Sequence, residues 1–475
     1  MIEHDWKPLL DRALAHAVEH LSSLPERPVA PRKEAAALLA EMNRPIPEDP
    51  TPAIDVLDEL VRIAEPGLTA MPGGRFFGWV IGGAVPAALA ADWLTSAWDQ
   101  NAGSAEGTPA AAAVEQVAIR WVLELLDLPR QSSAALVTGA QMANFVCLVA
   151  ARDRVLEAVG WDVETNGLAG APRVRVVVGA ERHDTLDRAL RFLGFGTGPT
   201  VVVEADEQGR MSPAALARHL APPELPTIVC LQVGNVNGGA IDPLEEIVVV
   251  VEHLRRRLPA GAVWLHVDGA FGLWARASRT LGPLVAGVEH ADSWATDAHK
   301  WINTPYDCGI AILADSLAHR RAIGIHAAYL PDHDDPDVRV PFDWTPELSR
   351  RARGFALWAA LRQLGRSGVE ELVDRTCRLA RSFAEKLASA DGVEVLNQIR
   401  LNQVVVRFRD PAGRDDDAHT RGVVRRTQAD GTCFPTPTVW RGVAAMRISV
   451  SNWSTDDADV ERSIAAILRA HRVSV

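Results

Sequence analysis

Six short apolar runs constrain the fold of this chain more than any other feature. They are Ala134–Val137, Val174–Val178, Thr200–Val203, Thr227–Leu231, Val263–Val267 and Gly309–Leu313, and helical stretches such as Met142–Ala151, Thr185–Leu193 and Leu244–Arg257 lie between them. Continuous β-branched runs read as strands buried on both faces. Strands separated by helices imply an α/β domain with a mainly parallel sheet covered on both sides. In such sheets ligands sit beyond the C-terminal ends of the strands, and chemistry is to be sought there.

The flanking regions read differently. Residues 1–72 are expected to be a helical segment: Leu9, Leu10, Ala13, Leu14, Ala17, Val18 and Leu21 form an apolar stripe, and Ile54–Ile63 a further helix. Prolines from Pro25 to Pro52 break this region into short pieces with little core, which suits a segment packed on a partner subunit. The large α/β domain is expected over 73–345. It opens on a glycine-rich aromatic loop, Met71–Gly83, and includes alanine-rich helices at Val85–Trp98 and Ala110–Leu126. After Trp344 the alternation stops. Helices at Pro346–Leu364, Val369–Ala390 and Thr455–His471, with strands at Val404–Phe408 and Ala445–Val450, predict a smaller α+β domain over 346–475.

Composition excludes several classes. A net charge of −12 argues against a general nucleic-acid-binding surface. No apolar run is long enough to cross a bilayer, since Ile247–Val251 is stopped by Glu252, and the N-terminus lacks a basic-then-apolar export pattern. Cys147, Cys230, Cys308, Cys377 and Cys433 are widely spaced and form neither a CxxC pair nor a metal-ligand cluster. Reduced thiols in a cytoplasm, and no metal site, are expected.

The strand ends carry the candidate chemistry. After Ala134–Val137 comes Thr138-Gly139-Ala140-Gln141, opening a helix whose first N–H groups suit a phosphate. Gly194–Gly198 follows a helix instead, and helix capping explains its first glycine. After Val174–Val178 comes His183, placed to stack on a ring, move a proton or cap a helix. After Thr227–Leu231, Asn235 and Asn237 lie among glycines, where turn chemistry alone also accounts for them. After Val263–Val267 comes Asp268, followed by Gly269 and Ala270. A carboxylate at the inner end of a buried strand needs a cation or several donors, and small residues beside it leave room for a flat ring.

The chain has only four lysines: Lys7, Lys33, Lys300 and Lys386. Lys300 follows Asp297 and His299 and precedes the apolar run Cys308–Leu313. Lysine can form a Schiff base where arginine cannot, so a lysine kept here reads equally as a reactive amine or as a surface residue. Together, a phosphate cradle, a histidine, a strand-end carboxylate and a lysine make the set that pyridoxal phosphate requires.

The order His183, Asp268, Lys300 resembles fold-type I pyridoxal-phosphate enzymes, of the aspartate-aminotransferase-like fold. The words HVDGAFG, DAHKW, PYDCG, RFFGW near residue 75 and Arg447-Ile-Ser-Val-Ser-Asn452 resemble the group II amino-acid decarboxylases over nearly the whole chain. The resemblance implies a homodimer with a shared active site that decarboxylates an L-amino acid to an amine and CO2. Lys300 would hold the cofactor, Asp268 pair with its ring nitrogen, and His183 and Ala270 cover its two faces. Gly139, Ala140, Gln141 and His299 would contact the phosphate, although Gln141 stands where the family often has serine or threonine. Asn235 or Asn237 would reach the ring hydroxyl. Arg447 would grip the substrate carboxylate, and Trp79 and Gly82 contact its side chain.

One departure qualifies the reaction. The family carries a loop tyrosine that reprotonates Cα, and replacing it favours decarboxylation with oxidative deamination to an aldehyde. Here the only tyrosines are Tyr306 and Tyr329, and Pro341 or Phe342 falls near the expected position. An aldehyde synthase, another pyridoxal-phosphate lyase or a transaminase is therefore the competing reading, and a non-catalytic binding protein a third. The Phe76, Phe77 and Trp79 neighbourhood favours an aromatic or bulky apolar substrate.

Overall fold

The computed structural model describes residues 5–196, 198–325 and 338–473. Two compact units divide the chain. The larger comprises Gly82–Arg381 and Asn397–Val404, and the smaller Met1–Ile81, Ser382–Leu396 and Val405–Val475.

The larger unit is built on seven strands: β1 (Ser133–Val137), β2 (Arg175–Gly179), β3 (Val201–Val203), β4 (Thr227–Gln232), β5 (Val263–Asp268), β6 (Ser293–Asp297) and β7 (Gly309–Leu313). They form one sheet in the order β1-β7-β6-β5-β4-β2-β3. Only β7 runs against its neighbours, pairing antiparallel with both β1 and β6. The C-terminal ends of the other six therefore share one edge, where β7 begins. All the strands expected from apolar runs are present. β6 was not expected: its sequence, Ser-Trp-Ala-Thr-Asp, is half polar, yet every residue of it is buried. Its polar groups are hydrogen-bonded inside, which a hydropathy pattern does not reveal.

A helix from Ala140 to Glu157 packs its apolar residues, among them Ala143, Val146 and Ala150, into the main core with β1, β2 and β4. The two helices expected at Pro346–Leu364 and Val369–Ala390 are both present within Gly354–Ala388, separated by a non-helical kink at Gly365. Gly365 has φ 61°, a left-handed conformation that glycine adopts without strain.

The smaller unit holds helices Trp6–Ser23, Ala35–Met42 and Ala53–Ala64. A second sheet has four strands, β8 (Val393–Val395), β9 (Gln403–Phe408), β10 (Thr436–Trp440) and β11 (Val443–Ser449), in the order β10-β11-β9-β8. β10 contains Pro437 and lies at the sheet edge, where a missing N–H is tolerated; that proline hides the strand from a sequence reading. The apolar stripe of Trp6–Ser23 is not buried within the chain: Leu10, Leu14 and Val18 are all exposed.

Candidate active site

Lys300 stands three residues beyond the end of β6. Its Nζ lies 3.1 Å from Asp297 Oδ2. Asp297 is buried and is a point of convergence. Its Oδ1 accepts from the Ala140 N–H at 2.6 Å, its N–H donates to the Ala270 carbonyl at 2.8 Å, and its carbonyl accepts from Trp274 Nε1 at 3.1 Å. His299 Nε2 is 3.5 Å from the same Oδ1. The His299 Nδ1 accepts from the Cys308 N–H at 3.0 Å, so in the neutral ring the hydrogen is on Nε2, facing Asp297. Burial holds the His299 pKa below the ordinary histidine value, which favours that neutral ring.

Two glycines allow this approach. Gly309 pairs with Val137 on one side and Asp297 on the other, and a Cβ there would lie 2.4 Å from Gly139 Cα. A Cβ on Gly82 would lie 2.0 Å from the Lys300 carbonyl oxygen. Both positions admit no side chain without moving the turns that carry Gly139 and Lys300.

Asp268 ends β5, opposite Ala295 on β6 and Gln232 on β4. Its Oδ1 accepts from the Ala270 N–H and its Oδ2 from Asn144 Nδ2, each at 3.2 Å. Burial pushes its carboxyl above the usual range, while the positive fields of His183 and Lys300 oppose the rise. His183, Lys300 and Asp268 thus interact electrostatically at one edge of the sheet. His183 also caps the helix Asp184–Phe192: its Nδ1 accepts from the Thr185 N–H at 3.2 Å, which helps to fix the ring.

The remaining expected contacts are unevenly engaged. The Gln141 amide oxygen accepts from Arg188 Nη1 at 3.2 Å. The Asn235 side chain closes its own turn, accepting from the N–H groups of Asn237 and Gly238 and donating to the Glu181 carbonyl at 2.8 Å; Asn237 is half-buried. Arg447 and Trp79 belong to the smaller unit. Arg447 lies on β11 opposite Thr436, and burial lowers its pKa to about 10, so it stays charged at neutral pH. Trp79 is 51% exposed and tilts against Phe76 and Phe434, with ring centroids 6.0 Å from each. Tyr329 lies outside the described residues. Tyr306 tilts against His299 with ring centroids 4.4 Å apart, and Pro341 and Phe342 are buried in a short 3-10 turn.

Sequence reasoning assigns no role to Asp297 and does not single out Asn144. The spacing of three between Asp297 and Lys300 was the available signal for the first. For Asn144, one helical turn inside the helix, no sequence signal exists without the fold. The donor set fits pyridoxal phosphate: a primary amine, a buried carboxylate at the neighbouring strand end, and a helix mouth beside a histidine.

Fold and site together define a fold-type I pyridoxal-phosphate enzyme. Residues 36–409 match the pyridoxal-dependent decarboxylase conserved domain. Tryptophan decarboxylase 1 of Oryza sativa subsp. japonica is 26% identical over 473 residues, spanning 94% of this chain and 90% of its own. The acidic amino acid decarboxylase GADL1 of Mus musculus is 30% identical over 348 residues, spanning 72% of this chain and 61% of its own. The crystal structure of Oryza sativa TDC with PLP and tryptamine matches with a TM-score of 0.89 at 25% identity, covering 98% of this chain and 97% of that one. The chain belongs to the pyridoxal-dependent decarboxylase family, and its activity is pyridoxal-phosphate-dependent decarboxylation of an amino acid.

Proposed function

We propose that this chain decarboxylates an L-amino acid with an aromatic or bulky apolar side chain, acting as a cytoplasmic homodimer. The observation that carries the catalytic reading is the Lys300 amine, 3.1 Å from Asp297 at the end of β6, with Asp268 at the end of the adjacent β5. Lys300 would hold the cofactor through its aldehyde, and Asp268 would face the ring nitrogen. His183 and Ala270 would lie on the two ring faces. Gly139, Ala140 and Gln141 would hold the phosphate with His299, and Asn235 or Asn237 the ring hydroxyl. When bound, pyridoxal phosphate supplies the electron sink for the pair released as CO2 leaves. Arg447 would fix the substrate carboxylate by charge-assisted hydrogen bonds, and Trp79 and Gly82 would meet its side chain.

The aromatic preference is supported by the exposed Trp79 beside Phe76 and Phe434, and by the likeness to a tryptophan decarboxylase. The homodimer is supported by the uncovered stripe Trp6, Leu10, Leu14 and Val18, and by exposed Trp93, Leu94 and Trp98, since soluble chains seldom leave such faces unpaired. Five free, buried cysteines suit a reducing compartment. In this proposal residues 1–72 form the partner-facing segment, 73–345 the cofactor-binding domain and 346–475 the small domain.

The test is a panel of amino acids offered to the cofactor-loaded enzyme, with products read by mass spectrometry. Amines from aromatic substrates support the proposal; amines only from acidic substrates overturn the side-chain preference.

A second reading, aldehyde synthesis, is favoured by the buried Pro341-Phe342 where a tyrosine is expected. Measuring CO2, ammonia and peroxide together separates the two. Ammonia and peroxide in step with CO2 identify the aldehyde route, and CO2 alone the amine route.

A further inference from the structure

Behind Asp268 lies a line of four buried hydrogen bonds that the reading above does not use. Trp264 Nε1 is 2.8 Å from Ser293 Oγ, and Ser293 Oγ is 2.9 Å from His266 Nδ1. His266 Nε2 is 2.9 Å from Asn144 Oδ1, and Asn144 Nδ2 is 3.2 Å from Asp268 Oδ2. His266, Ser293 and Asn144 have no exposed surface, and Trp264 is 3% exposed. The fold explains the alignment. Trp264, His266 and Asp268 alternate along β5 and so share a face. Ser293 is the register partner of His266 on β6, and the helix Ala140–Glu157 lays Asn144 across the same face.

The direction of the line follows from chemistry. An indole N–H can only donate, so Ser293 Oγ accepts from Trp264. If His266 Nε2–H donates to the Asn144 carbonyl oxygen, Nδ1 is bare and accepts the Ser293 hydroxyl hydrogen. Asn144 then presents an N–H to Asp268. Every donor in the line points toward the carboxylate. The reverse orientation of Asn144 would set its carbonyl oxygen against Asp268, which is tolerable only if Asp268 carries a proton. The two orientations of Asn144 thus correspond to the two charge states of Asp268, and only the ionised carboxylate supplies the charge that keeps a proton on the ring nitrogen. Burial keeps the His266 ring neutral, with its pKa lowered to about 3, as a one-way line requires.

We propose that Asn144, oriented by His266, Ser293 and Trp264, is a positioning residue that keeps Asp268 ionised toward the ring nitrogen of pyridoxal phosphate. The inference rests on the proposed pairing of Asp268 with that nitrogen and adds what maintains it.

The test compares binding of pyridoxal phosphate with that of its 1-deaza analogue, in which a C–H replaces the ring nitrogen, by absorbance titration of the apoenzyme. Wild type should prefer pyridoxal phosphate. In Asn144→Leu that preference should fall by about tenfold, the worth of one hydrogen bond to a charged group, with the analogue's own affinity nearly unchanged. Ser293→Ala, a smaller change that leaves Asn144 in place, should lower the preference about threefold and decides the matter if the leucine variant does not fold. Equal weakening of both ligands would mean lost packing and overturn the proposal, as would an unmoved preference in Ser293→Ala. A wild type that binds the two ligands equally refutes the pairing of Asp268 with the nitrogen. One that binds neither refutes the cofactor reading itself.

Discussion

Lys300 Nζ and Asp297 Oδ2 are 3.1 Å apart, and the same carboxylate receives the first N–H of the helix that opens at Ala140. One buried group therefore ties the lysine to the helix mouth. Asp297→Ala removes the acceptor shared by Lys300 and Ala140 and leaves His299 without its neighbour. Breaking a buried pair from one side costs about 3–5 kcal/mol, so the variant should melt several degrees lower. It should also hold Lys300 less well placed. After borohydride reduction, the cofactor trapped on the Lys300 peptide should fall about tenfold at equal added cofactor, equivalent to about 1.4 kcal/mol. Peptide mass mapping measures this directly. Full trapping in Asp297→Ala would make the carboxylate dispensable.

Gly82→Ala is expected to damage the site without touching a titratable group. The added Cβ would lie 2.0 Å from the Lys300 carbonyl oxygen and 3.1 Å from the Asn303 side chain, so the turn carrying Lys300 must shift. Overpacking of this kind costs about 1–3 kcal/mol and acts here on the residue that takes the cofactor. Cofactor affinity should fall about tenfold or more. Gly107→Ala is the control, because its Cβ meets nothing closer than 3.8 Å. Equal cofactor content in the two variants would show that the Lys300 turn yields freely.

The parts of this site that were legible in the sequence are those where chemistry and strand position coincide. Asp268 and His183 each stand just past an apolar run, and a parallel sheet makes such ends converge; Lys300 was legible as one of only four lysines, just ahead of the apolar run Cys308–Leu313. Asp297 was harder to read because β6 is half polar and did not register as a strand. Asn144 and His266 were illegible for a different reason. An asparagine in an alanine-rich helix and a histidine inside a β-branched run look like isolated polar residues until the helix is laid across the strand. The edge strand β10 was hidden by Pro437, and the helix Ala35–Met42 by the prolines around it.

Arg447→Ala should separate substrate binding from cofactor binding. Arg447 sits on β11, 7% exposed, and remains charged at neutral pH despite burial. If its guanidinium holds the substrate carboxylate, truncation removes a bidentate charged contact worth about 2–4 kcal/mol. The KM for the best amino acid should rise about a hundredfold, with the absorbance of the bound cofactor unchanged. Arg447→Lys should recover only part of the loss, since an ammonium cannot reproduce the fork. Loss of cofactor in Arg447→Ala would reassign the residue to the cofactor or to the fold.

A buried histidine remote from the lysine sets an acid limit on stability. His319 is fully buried, with Nε2 3.0 Å from the Trp344 carbonyl and Nδ1 2.8 Å from Ser133 Oγ. The carbonyl can only accept, so Nε2 carries the hydrogen, and the neutral ring that burial favours takes one from the serine at Nδ1. Burial, helped by the positive field of Arg339, lowers its pKa from 6.5 to about 3. The folded value is below the unfolded one, so the unfolded chain binds the proton first as pH falls. The stability contributed by the neutral ring is complete above pH 6.5 and is lost between 6.5 and 3, at about 1.4 kcal/mol per pH unit. His319→Gln cannot titrate, and its amide replaces at most part of the two hydrogen bonds. It should be about 1 kcal/mol weaker than wild type at pH 7.5 but lose stability more slowly toward acid. The two stability curves should therefore cross on the acid side, near pH 5–6. Urea unfolding at pH 7.5, 6 and 5 gives both slopes, and parallel curves would falsify the assignment of a neutral, proton-resistant His319.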